Sequence, residues 1–225
     1  MIQLPKDYAI NQRRFTSNSR GTKAGQRVER NVKKYIKYLR PPILSIGCGD
    51  GYELEQIAIY NKHILEINKA MLGIEVAKDR VLYAKNKKNL PVIEGVVENL
   101  PEIIKTEYGY DKKFNIYCAH TLEHTFDLDL AINNIKLVCL DNVVIIVPIE
   151  LSGKSGNASH HNPISNLGII ANKFGIDWTL KLAYNFDQEL QGIVVLRRRP
   201  VNWPKGHRAM SGDLVIQDPG ELSIV

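Results

Sequence analysis

Between Ala24 and Leu39, apolar residues recur at three- and four-residue spacing: Val28, Val32, Tyr35, Ile36 and Leu39 form one stripe, which predicts a helix buried along one side. Pro41-Pro42 stops that helix, and the β-rich run Ile43-Leu44-Ser45-Ile46 follows, ending in a cluster of glycines. From there helical and extended patterns alternate. Helices are expected over Tyr52 to about Tyr60, with Leu54, Ile57 and Ala58 on one face, and over Lys78 to Lys88, Pro101 to Tyr108 and about Leu128 to Leu140. Between them lie predicted strands at Met71 to Val76, Pro91 to Val97, Phe114 to Ala119 and Val143 to Ile149, the last being the most apolar.

Strands separated by helices in this order imply β-α-β units around a mostly parallel, doubly wound sheet with right-handed crossovers. The last third changes character. Ser152 to Asn162 is rich in Gly, Ser, Asn and His, as a loop over an active site would be, and a helix from about Pro163 to Phe174 is expected next. Ile176 to Phe186 and Gly192 to Arg199 read as two strands joined by the turn-like Asp187 to Gln191, an antiparallel hairpin at one sheet edge. The division is then a basic arm and cap helix over 1–42, one catalytic domain over 43–199 and an irregular tail over 200–225.

The chemistry concentrates at Ile43-Leu44-Ser45-Ile46-Gly47-Cys48-Gly49-Asp50-Gly51, an apolar strand running into a G-x-G-x-G turn that opens a helix. Glycines let the chain bend tightly and let a ligand approach the backbone with no Cβ in the way. Tyr52 and Glu53 follow, so the spacing is not the G-x-G-x-x-G that cradles a dinucleotide pyrophosphate, and a cofactor without phosphates fits better. A nucleotide-dependent oxidoreductase would share the strand, turn and helix but needs the missing third glycine of that fingerprint. Downstream, Leu72-Gly73-Ile74-Glu75 is a strand ending in a carboxylate, placed to accept hydrogen bonds from both hydroxyls of a ribose.

Together these segments resemble the class I S-adenosylmethionine-dependent methyltransferases, in the small-molecule-type branch with a Leu-Glu-His segment. Ile-Gly-Cys-Gly-Asp-Gly at 46–51 is similar to that family's first motif and Gly-Ile-Glu at 73–75 to its second. Gly95-Val-Val-Glu-Asn-Leu-Pro101 resembles the segment bordering the adenine, and Ala119-His-Thr-Leu-Glu-His124 the segment after the fourth strand. The resemblance covers roughly 43–199 and implies a Rossmann-like, seven-stranded α/β sheet with S-adenosylmethionine as cofactor. By it, Gly47, Cys48, Gly49 and Gly51 would face the methionine part, Glu75 and Val76 the ribose, Val97 and Glu98 the adenine, and His120 the far side of the cofactor. The sequence departs from the pattern at Ser45, where many relatives carry the acid that helps hold the cofactor ammonium, and at Val96, often Asp.

Methyl transfer from a sulfonium asks mainly for alignment and exclusion of water, and a base only where the acceptor must lose a proton. His124, His160 and His161 are the candidate bases, since imidazole titrates in the useful range; each also has a structural reading as a helix-end polar group. No metal site is expected, because His160, His161 and His207 offer too few ligands at zinc spacing. Neither the Asp/Asn-Pro-Pro-aromatic segment of amino-methylating DNA enzymes nor a Pro-Cys nucleophile is present; Ala119-His120-Thr121 stands there.

Charge adds a second theme. The chain carries a net +6, yet residues 1–42 hold eleven Lys/Arg against Asp7 and Glu29, so the remainder is slightly acidic. Arg13, Arg14, Arg20 and Lys23 at one end and Arg197, Arg198 and Arg199 at the other could form a surface for RNA or DNA, making the chain an RNA methyltransferase or a non-catalytic binding module; the alternative is a solvated basic face. A small-molecule acceptor is the first expectation. Cys48, Cys118 and Cys139 show no paired spacing, which suggests a reducing, cytoplasmic setting, and neither a signal peptide nor a membrane-spanning stretch is visible.

Overall fold

The computed structural model describes residues 21–64, 66–150, 159–175, 177–186 and 190–199. Most of the arm and tail, including Arg13, Arg14, Arg20 and His207, lies outside the described residues, as do residues 152–158 of the Ser152 to Asn162 loop and 187–189 of the hairpin turn.

Seven strands run in chain order as β1 (Ile43–Ile46), β2 (Met71–Glu75), β3 (Val92–Glu94), β4 (Phe114–Ala119), β5 (Cys139–Pro148), β6 (Trp178–Phe186) and β7 (Leu190–Arg198). They form one sheet in the order β3-β2-β1-β4-β5-β7-β6. The first five are parallel, and β7 inserts antiparallel between β5 and β6, so the expected doubly wound sheet with a C-terminal hairpin is present. The strand order reverses at β1, which pairs with β2 on one side and β4 on the other. A crevice opens at the carboxyl ends of strands at such a switch point, because the two following connections leave toward opposite faces.

Helices α1 (Lys23–Tyr35), α2 (Tyr52–Tyr60) and α4 (Lys78–Lys88) cover one face, and α5 (Leu100–Tyr108), α6 (Leu128–Val138) and α7 (Gly168–Phe174) the other. The strands serve both layers, as the period of two requires: Leu44 and Ile46 pack toward α5 and α6, while Ile43 packs toward α1 and α2. Burying each such aliphatic side chain contributes roughly 1.5–3 kcal/mol. The stripe predicted for α1 is the buried one, with Val32 and Ile36 fully covered, and the Thr22 hydroxyl caps its start by accepting the Gly25 amide at 3.0 Å. Asp127 does the same for α6, taking the Leu130 amide at 2.9 Å.

Several boundaries differ from the sequence reading. The helix expected to Leu140 stops at Val138, and Cys139 already pairs with Phe114; an apolar run such as Leu137-Val138-Cys139 suits a helix end and a strand start equally. β3 is only Val92–Glu94, since the Gly95 amide turns to the Glu75 carbonyl at 3.0 Å and α5 packs against Gly95, where a Cβ would lie 2.3 Å from Ile103 Cδ1. The one-turn helix α3 (Ile67–Ala70) buries nothing and left no apolar signature. The helix expected from Pro163 begins at Gly168, because the preceding residues bond elsewhere: the Asn162 amide to the Glu123 carbonyl at 3.0 Å, and the Ile164 carbonyl to the Glu150 amide at 2.9 Å.

Candidate functional site

At the carboxyl edge of β1, Gly47, Gly49 and Gly51 all adopt left-handed φ values of 75°, 61° and 86°. Only glycine holds such a run cheaply. The turn is also crowded, since a Cβ on Gly47 would sit 2.1 Å from Thr121 Oγ1, whose hydroxyl donates to the Ile46 carbonyl at 3.0 Å. That contact binds the loop after β4 to the loop after β1. Gly51 faces the other way, toward Leu90 and Ala84, and starts α2.

A cavity of about 440 Å³ opens above these loops. Glu75, at the end of β2, reaches it with a carboxylate braced on two backbone amides: Gly49 donates to Oε2 and Ala77 to Oε1, both at 2.9 Å. Burial pushes its carboxyl above the ordinary range, and the amides and the Arg80 guanidinium only partly offset this. Each oxygen keeps acceptor capacity for a further hydroxyl.

A second acid enters from a place the sequence reading passed over. Glu53, in the first turn of α2, is buried, lines the same cavity, and accepts a hydrogen bond from the Ser45 hydroxyl. Burial raises its pKa from 4.5 to about 8; the Ser45 bond pulls down and the Glu75 charge pushes up. Tyr117, paired across β1 and β4 with Ser45, brings a buried phenol with no hydrogen-bond partner into this wall.

The far wall is made of imidazoles and carboxylates. His120 follows β4 in a left-handed conformation (φ 52°), a strained geometry for a residue with a side chain. Its Nε2 lies 3.2 Å from Gln191 Nε2, and Gln191 accepts from Asn31 of α1 at 3.2 Å, so a polar chain ties three elements together. Glu123 is 1% exposed. Burial opposes its charge, but His120 and His124 more than compensate and hold the carboxyl below its ordinary range. His124 meets the Ser159 carbonyl through Nδ1 at 3.0 Å, and burial keeps its pKa below the usual imidazole value, so it is mostly neutral near pH 7. His160 contacts Glu150 through Nδ1 at 2.7 Å.

Of the expected cofactor residues, Gly47, Gly49, Glu75, Val76, Val97, Glu98 and His120 line the cavity. Cys48 does not: its side chain is fully buried behind the turn, where a Cβ on Gly73 would come 2.6 Å from its sulfur, and burial raises its thiol pKa well above the usual value. Gly51 shapes the turn without lining the cavity. Glu98 spends Oε1 on the Phe126 amide at 2.8 Å. Among the candidate bases His124 and His160 face the cavity, while His161 is exposed and stacks on Phe126 at 4.9 Å. Expecting too few metal ligands rested on counting neighbours in sequence; the fold instead sets Glu123 and His124 beside His160, with one ligand atom from each within 4.8 Å of the others.

The described basic residues are spread out. Arg27 of α1 lines the cavity at the carboxyl edge, whereas Arg197 pairs with Asn142 at the opposite edge of the sheet. Arg198 donates to the Lys136 carbonyl at 2.6 Å and lies over Trp178.

No protein-family model and no curated protein matches the sequence. Solved structures do. A SAM-dependent methyltransferase from Anabaena variabilis is 14% identical with a TM-score of 0.62, over 86% of this chain and 93% of that one. Magnesium protoporphyrin IX methyltransferase from Synechocystis, solved with bound SAH, is 10% identical with a TM-score of 0.58, over 84% and 93%. The N-methyltransferase NodS from Bradyrhizobium japonicum is 13% identical with a TM-score of 0.57, over 78% and 96%. The fold of this chain is therefore the class I methyltransferase fold.

Proposed function

We propose that this chain is an S-adenosylmethionine-dependent methyltransferase acting on a small molecule. The observation that carries the reading is the Glu75 carboxylate, fixed by the Gly49 and Ala77 amides in the wall of a cavity that left-handed glycines also line. It is a rigid double acceptor suited to a ribose diol, beside a backbone that a ligand can touch.

The residues fit the whole cofactor. Val96 and Val97 offer an apolar wall for the adenine, Glu75 takes the ribose, and Glu53 takes the ammonium of the methionine part. Glu53 thus answers the departure at Ser45: the hydroxyl that replaces the usual acid holds another acid, borrowed from α2, at the same place. When bound, the cofactor supplies a methyl group on a sulfonium. The protein's part is to align the acceptor and exclude water, and His124 and His160 line the wall that faces it.

The three cysteines are free and buried, in keeping with a reducing compartment, and among the described residues no helix is long and apolar enough to cross a membrane. We place the protein in the cytoplasm. Calorimetry with S-adenosylmethionine and S-adenosylhomocysteine tests the reading. Micromolar binding, lost in Glu75→Ala, is expected; absence of binding to the intact chain refutes it.

A further inference from the structure

We propose that Glu123, His124 and His160 form a binding site for one divalent transition-metal ion in the far wall of the cavity, with open coordination positions facing the acceptor.

The donor set is two imidazoles and one carboxylate, a combination that suits zinc, cobalt, manganese or ferrous iron and leaves positions for exogenous ligands. One ligand atom from each residue lies within 4.8 Å of the others. The separations inside the cluster are those of groups around a gap. Glu123 Oε1 is 3.9 Å from His124 Nε2, whereas charge-assisted hydrogen bonds close to about 2.7–2.9 Å. Two ligands each ~2.1 Å from a tetrahedral ion stand ~3.4 Å apart, so small side-chain movements complete the site.

The second observation is an unsatisfied acceptor. Glu123 Oε2 is buried, has no hydrogen-bond partner, and belongs to a side chain 1% exposed in the cavity wall. An orphaned buried carboxylate oxygen is costly, and a bound ion would satisfy it. The third is the outer layer. Metal-bound histidines donate their other ring N–H to a carboxylate or carbonyl, which fixes tautomer and orientation. Both histidines here have that partner: His124 Nδ1 faces the Ser159 carbonyl at 3.0 Å, and His160 Nδ1 faces Glu150 at 2.7 Å. The chain segment carrying His160 is held in place by Asn162, whose Nδ2 donates to Thr125 Oγ1 at 3.1 Å.

The open positions would take an oxygen-bearing acceptor, such as a hydroxyl or a vicinal diol, close to the Gly47 end of the cofactor turn. That last step rests on the methyltransferase reading; the metal site does not.

Cobalt(II) titration of the full chain after chelator treatment tests the proposal by visible absorption and calorimetry. One ion per chain is expected, with ligand-field bands and no thiolate charge-transfer band, and with catechol shifting those bands as a bidentate oxygen probe. Glu123→Gln and His160→Gln should abolish stoichiometric binding, Glu150→Gln should weaken it ~10–100-fold, and His161→Gln should leave it unchanged. His160 is partly exposed at the surface of the cavity, so its variant reports even if the Glu123 variant does not fold. No stoichiometric binding by the wild type, binding unaffected in His160→Gln, or a thiolate band would each overturn the site, and bands indifferent to catechol would overturn its open positions. S-adenosylmethionine calorimetry in chelator is read separately, so loss of cofactor binding and loss of metal binding are distinguishable.

Discussion

The Ser45 hydroxyl donates a hydrogen bond to the carboxyl of Glu53, joining the end of β1 to the first turn of α2 inside the cavity wall. Neither residue is informative alone. Together they rebuild an acidic corner in which the carboxyl has a pKa of about 8 and becomes fully charged near neutrality only when a cation arrives.

Cofactor binding should therefore release a proton. Near pH 7 the free carboxyl is largely protonated, and an ammonium beside it favours the charged form, so affinity rises from pH 6 toward pH 8. Calorimetry at pH 7 in buffers of different ionisation enthalpy should show proton release by the wild type and none by Glu53→Gln. The substitution should weaken binding at pH 8 by about 10–100-fold, the worth of a hydrogen bond to a charged group.

The same carboxyl should make stability depend on pH. Its pKa is about 8 in the folded chain against an ordinary 4.5, so between those values the native state keeps a proton that the unfolded chain has lost. Stability then falls as pH rises through this window, by at most about 1.4 kcal/mol per pH unit. Glu53→Gln should melt above the wild type by a margin that widens from pH 5 to pH 8 and then levels off. A constant margin in thermal denaturation across that range would refute the assignment.

Gly47→Ala should destabilise the fold and abolish cofactor binding. The added methyl group meets Thr121 Oγ1 at 2.1 Å, and the backbone stays at φ 75°. The left-handed conformation costs about 1–2 kcal/mol and the overpacking about 1–3 kcal/mol. Denaturant unfolding should show a loss of roughly 2–5 kcal/mol.

Glu75→Gln should separate charge from shape. The amide side chain keeps one acceptor for the Gly49 or Ala77 amide but presents an N–H to the other, so one buried donor loses its partner. A destabilisation of about 1–3 kcal/mol is expected from denaturant melts, with cofactor affinity reduced at least ~10-fold.

Much of the architecture was legible in the chain. The stripe Val28, Val32, Tyr35 and Ile36, the runs that became β1, β4 and β5, and the hairpin all appear close to where their periodicity put them, since each buries an apolar face with a fixed repeat. The glycine turn and Glu75 were legible too, because a tight turn and a strand-end acid are local features. Cys48 and Gly51 were assigned to the ligand because they sit inside the motif; which way each faces depends on what packs behind the turn, namely Gly73, Leu90 and Ala84. His161 and His160 looked equivalent in the sequence. Only the clamp between Asn162 and the loop after β4 sends one into the cavity and the other onto Phe126.

By itself the sequence determined the alternating α/β plan, the glycine turn after β1 and the acid at the end of β2, because backbone conformation and burial periodicity are set within a few residues. Tertiary structure decided the rest of the site. Glu53 reaches the corner left by Ser45 through the winding of α2, and Glu123, His124, Glu150 and His160 meet because loops following β4 and β5 end at the same sheet edge. Those contacts span up to 37 residues of chain and are fixed by strand order and by hydrogen bonds between loops, which no local pattern records.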